Sequence, residues 1–144
     1  MEIVLESEQS LTQKELREFL ASSERNPGFR VEPFWQWDPE DAEEEQRYVS
    51  LLGLRPRSGM TFILNKLSRE GERVRGWELM IKAVVAFCRR YPADAALIFN
   101  GEWIVMRSYG GEIVFDTWIG FEEDPELAAI VAQYPQETLS QPLM

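Results

Sequence analysis

The sequence predicts an α+β domain, a largely antiparallel sheet with one long helix packed on a face and a second, N-terminal helix. Three observations carry this. Between residues 77 and 91, Trp77, Met80, Ile81, Val84, Phe87, Cys88 and Tyr91 recur at spacings of three and four, the apolar stripe of a helix laid on a core. Residues 95–116 read as three short strands joined by Asn100-Gly101 and Gly110-Gly111, dipeptides that accept the positive φ of tight hairpin turns. Residues 2–6 and 60–67 are apolar-rich runs in which Ile3 and Leu5 fall opposite Val4, and Phe62 and Leu64 opposite Thr61 and Ile63, in the period of a strand.

In chain order, a first strand spans 2–6, with Ile3 and Leu5 on one face. Ser10 offers a hydroxyl as the N-cap of a helix over 11–20, in which Leu16, Phe19 and Leu20 share a side. Asn26-Pro27-Gly28 ends it. Residues 29–37 are strand-like, and Pro33, lacking an N–H, suggests a sheet edge. Residues 48–54 read as a strand turned by 56–59, and 60–67 as the next. A polar loop, 68–75, leads to the long helix, which Arg89 and Arg90 suit at its negative end and Pro92 stops. After the meander, 127–134 reads as a short helix, and the tail beyond Pro135 as loose.

The chain has 144 residues, which suits a single domain over 1–144 with a core that needs no staples. An apolar content of 44% is that of a folded protein. The net charge of -10 disfavours general nucleic-acid binding and anionic membranes, since phosphate affinity comes from Lys and Arg. That charge is uneven. Residues 55–90 carry nine basic and three acidic side chains, a local excess of +6 against -16 elsewhere. Neutralisation on folding and a basic patch for an anionic ligand both fit. The single cysteine permits no internal disulfide, and neither a signal peptide nor an 18-residue apolar run is legible. A cytoplasmic location is therefore expected.

No histidine is present, which removes imidazole general bases and nearly every zinc site. Nucleophile-elbow, P-loop and dinucleotide fingerprints are missing too, so no catalytic residue, cofactor or metal site is expected. Cys88 lies on the apolar stripe and reads as a buried, inert thiol. Carboxylate pairs such as Asp38 and Asp41 leave a hydrolase as a distant reading. The candidate partner surface is Trp35 and Trp37, on one side of an extended segment, followed by Asp38, Glu40, Asp41, Glu43, Glu44 and Glu45. From Glu32 to Glu45 there are seven acidic residues and no basic one, so the run belongs in solvent. Aromatic anchors beside an acidic rim suit a basic protein partner. Core packing of the two tryptophans is the plainer reading.

Over residues 48–116 the chain resembles the bacterial immunity proteins of swarming-inhibition (Sit-type) toxin systems. The likeness lies in Leu52-Gly53-Leu54, the strand and basic loop of 61–66, the helix ending in Arg89-Arg90, the Pro92-Ala93-Asp94 loop, and Phe99-Asn100-Gly101-Glu102 before a second Gly-rich turn. It implies a cytoplasmic protein that binds and neutralises one cognate toxin stoichiometrically, without catalysis. The alternative is a small-molecule or regulatory binding domain with a pocket between helix and sheet.

Overall fold

The computed structural model describes residues 2–7, 11–20, 29–34, 43, 46, 49–50, 52–55, 57–64, 70–100, 103–117 and 125–139. In chain order these form β1 (Glu2–Ser7), α1 (Gln13–Leu20), β2 (Phe29–Phe34), β3 (Ser58–Leu64), α2 (Glu70–Arg90), β4 (Ala95–Phe99), β5 (Trp103–Tyr109), β6 (Glu112–Asp116), α3 (Pro125–Val131) and β7 (Gln136–Glu137). The strands make one mixed sheet in the order β2-β3-β1-β4-β5-β6-β7. Neighbours are antiparallel except β6 and β7, which run parallel. The α+β class stands. Pro33 sits in β2, which is an edge strand, where its missing N–H breaks no inner ladder.

The N-terminal strand is threaded between the two halves of the sheet. Leu5 lies in register with Met60 of β3 and Leu97 of β4. Beyond β4 the chain forms the expected meander. Asn100 takes φ 50° in the first turn, and Gly110 and Gly111 take φ 60° and 82° in the second, as a type I′ turn requires. Asp94 accepts a hydrogen bond from the Gly110 N–H at 3.0 Å, so the Pro92–Asp94 loop braces that second turn.

Two cores flank the sheet. On one side α2 sets Met80, Ile81, Val84, Phe87 and Cys88 against Leu97, Val105, Met106, Ile113 and Phe115. Each large side chain buried here contributes roughly 2 kcal/mol. On the other side Leu52, Leu54 and Leu139 cover Ala96, Ile98, Ile104 and Val114. A bulge in β5 makes this division possible. Leu97 pairs with Met106 and the next residue, Ile98, pairs with Ile104, which leaves Val105 as the extra residue. Ile104 therefore faces one core while Val105 and Met106 both reach the other.

Several expectations are corrected. The segment read as a strand over 48–54 is helical at Val49, Ser50 and Leu52. Gly53 closes it with φ 70°, its N–H bonded to the Val49 carbonyl at 2.9 Å, a left-handed C-cap. Leu52 and Leu54 alternate about that cap and so imitate a strand. The helix α2 begins at Glu70, inside the stretch read as a loop over 68–75. Glu70 and Glu72 stand at its start in the sequence, charges that suit the positive end of a helix and let it begin before the apolar stripe. The turn read over 56–59 is shorter, because Ser58 and Gly59 already belong to β3.

Capping of α1 falls to Thr12, and Ser10 lies outside the described residues. The Glu15 N–H donates to Thr12 Oγ1 at 3.2 Å, and the Thr12 N–H donates to Glu15 Oε1 at 3.4 Å, a capping box. The tail read as loose is anchored as far as Leu139, the last described residue. The Phe115 N–H donates to the Pro135 carbonyl at 3.0 Å, and the Thr117 N–H to that of Glu137 at 3.2 Å. Leu139 is buried, and its N–H donates to the buried Asp116 Oδ1 at 2.9 Å.

Candidate functional site

The outward side of α2 carries Lys82, Ala86, Arg89 and Arg90, all exposed and separated by four, three and one residues. On an α-helix that spacing forms a single stripe. Beside it, α3 inserts Leu127 and Val131 into the main core, which brings Ile130, Gln133 and Tyr134 up against α2. Between the two helices lies an open groove of about 550 Å³, lined by Lys82, Val85, Ala86, Arg89, Arg90, Ile130, Gln133 and Tyr134.

The two arginines are held by aromatic rings. Arg89 donates from Nη2 to the Tyr134 hydroxyl, and its guanidinium carbon lies 5.5 Å from that ring's centroid. Arg90 lies 5.8 Å from the ring of Phe19 and 5.4 Å from that of Tyr91. Those rings belong to a cluster in which Phe87 is 5.6 Å from Phe19 and 5.0 Å from Tyr91, tying α1 to the end of α2. Contacts of this kind are favourable even at partly exposed sites. Among the described residues, Lys82, Arg89 and Arg90 form no ion pair with a carboxylate. The pairs Lys14–Glu18 and Arg107–Glu137 lie elsewhere. The local basic excess read from residues 55–90 is thus gathered in part into one groove.

The groove's chemistry is that of binding. It presents cations, an amide and a phenol around an apolar floor. Cys88 lies behind it in the core, its thiol hydrogen-bonded to Ser108. Burial pushes that thiol up to about 12, a rise the hydrogen bond only partly offsets. It stays protonated near neutrality and is no nucleophile there. Among the described residues no group of three or more acidic or cysteine side chains is placed to hold a metal ion. No described helix is long and apolar enough to cross a membrane.

Of the residues put forward as a partner surface, Glu43 is described, helical and exposed. Trp35, Trp37, Asp38, Glu40, Asp41, Glu44 and Glu45 lie outside the described residues. The pocket considered between helix and sheet has a different counterpart, since the groove lies between two helices. Half of its wall was not legible in the sequence, because Tyr134 stands 45 residues from the arginine it binds. The pair Arg89-Arg90 was the available signal.

A family model described as SitI3-like matches residues 1–125. The chain belongs to the SitI3-like family. This agrees with the likeness to Sit-type immunity proteins seen over residues 48–116, and the match extends over β1, α1, β2 and the acidic segment. It stops at the first residue of α3, so the α2 wall of the groove falls within the SitI3-like match and the α3 wall beyond it. Neither the curated proteins nor the solved structures yield a significant match.

Proposed function

We propose that the protein is an immunity protein, which binds one cognate bacterial toxin stoichiometrically and neutralises it without catalysis. The observation that carries this reading is the SitI3-like match over 1–125 of the 144 residues. The residue chemistry supports it. The chain lacks histidine, and its one thiol is buried and protonated near neutrality. Its net charge of -10 suits a basic partner in the cytoplasm.

We place the toxin on the acidic segment with Trp35 and Trp37 as anchors and Asp38, Glu40, Asp41, Glu43, Glu44 and Glu45 as the rim. Clustered like charges raise the association rate of an oppositely charged partner and make it sensitive to salt. The test is co-expression with the toxin encoded beside this chain. Growth is expected to be rescued by the wild type. Reversing charge at Glu43, Glu44 and Glu45 together is expected to weaken the complex about tenfold or more and to flatten its salt dependence, with the melting temperature nearly unchanged. Failure of the wild type to rescue growth against any adjacent toxin overturns the reading. Unchanged affinity in the triple variant removes only the acidic segment from the interface.

A further inference from the structure

We infer that the groove between α2 and α3 is a docking site for a short acidic peptide segment of a protein partner, of the form carboxylate, apolar side chain, carboxylate. The groove is opposite in sign to the acidic segment and does not depend on the toxin reading. Four features of the groove define its occupant. First, Lys82, Arg89 and Arg90 converge on it, and among the described residues none of them pairs with a carboxylate. A basic site left uncompensated in a chain of net charge -10 is complementary to an anion.

Second, the cations are spread out. Lys82 and Arg90 are eight residues apart, about 12 Å along a helix axis at 1.5 Å per residue. One phosphate-sized ion does not span that length, whereas about four residues of extended peptide do, at about 3.3 Å each. Third, Val85, Ala86 and Ile130 place apolar surface between the charged ends, where an apolar side chain of the peptide loses its water. Fourth, the arginines are already oriented, Arg89 by Tyr134 and Arg90 by Phe19 and Tyr91, so binding costs less side-chain entropy. A long polyanion is disfavoured, because the chain as a whole carries -10 and the groove's three cations offset only a short stretch of negative charge.

The test uses the full chain and fluorescence anisotropy of a labelled Glu-Leu-Asp-Leu-Glu peptide, beside its Gln-Leu-Asn-Leu-Gln counterpart, inorganic phosphate and a polyphosphate. Saturable binding of the acidic peptide is expected, about tenfold or more tighter than the neutral one and weakened by salt. The double variant Lys82→Gln with Arg90→Gln is expected to weaken it by about tenfold, and Ala86→Asp to block it by placing a carboxylate in the groove floor. All three positions are exposed, Arg90→Gln gives up only ring contacts with Phe19 and Tyr91, and melting temperatures close to that of the wild type confirm the fold. Arg89 is left in place because it joins the two helices. Equal binding of the neutral peptide, indifference to both variants, or tighter binding of phosphate or polyphosphate overturns the inference.

Discussion

Arg89 and Arg90 are consecutive and yet do different work. Arg89 reaches across to Tyr134 and joins α3 to α2, whereas Arg90 lies along the rings of Phe19 and Tyr91 and joins α1 to the same helix. One residue earlier, Cys88 points inward, with its pKa raised from 9.0 to about 12 by burial. The folded chain therefore holds its thiol proton more tightly than the unfolded chain. The stabilisation is complete below the unfolded value, shrinks as pH rises above about 9, and is gone past about 12. The stability of wild type relative to Cys88→Ala, from urea unfolding at stepped pH, is expected to fall across that window and stay flat below it. Asp116 is buried and accepts from the Leu139 N–H, so Asp116→Ala orphans a buried amide. It is expected to cost about 1–3 kcal/mol by the same unfolding measurement, with hydrogen exchange rising at Leu139.

At the scale of elements, the chain is easiest to read where local chemistry and tertiary role agree. The stripe of α2 and the turns at Asn100 and Gly110-Gly111 are examples, since a helical period and a positive-φ turn both leave marks within a few residues. The segment around Gly53 shows the opposite case. Leucines two apart about a glycine fit a strand, and they fit equally a helix that ends in a left-handed cap and drops its next leucine into the core. What decides is the sheet face that Leu52 and Leu54 cover, and that face is built from residues 96–114, far along the chain. β7 was illegible for a related reason. Two exposed residues become a strand only because β6 offers a free edge and Leu139 finds a slot. The α3 wall of the groove is likewise set by tertiary packing. Gly53→Ala tests the cap. A Cβ there meets Tyr109 at an ordinary 3.5 Å, so the cost is that of the backbone conformation. A loss of about 1 kcal/mol in urea unfolding is expected, and less for Gly53→Asn, since asparagine tolerates that region.

The whole molecule combines an acidic chain, a mixed sheet with a core on each face, and a basic groove set against the prevailing charge. The immunity role proposed from membership of the SitI3-like family would make this architecture a binding scaffold. Under that reading the fold's task is to hold surfaces still, and both faces of its sheet are packed to do so. Under the two proposals, a basic toxin at the acidic segment and an acidic peptide at the groove differ in sign, which keeps the two partners sorted. The claim on which the rest depends is that this chain forms a stoichiometric complex with a toxin. Calorimetric titration of the toxin domain encoded beside it into the purified protein tests that claim most directly. A single saturable transition at a 1:1 ratio, weakened by added salt, is the predicted result. A folded, active toxin domain that gives no binding heat and elutes apart from the protein on gel filtration would contradict it.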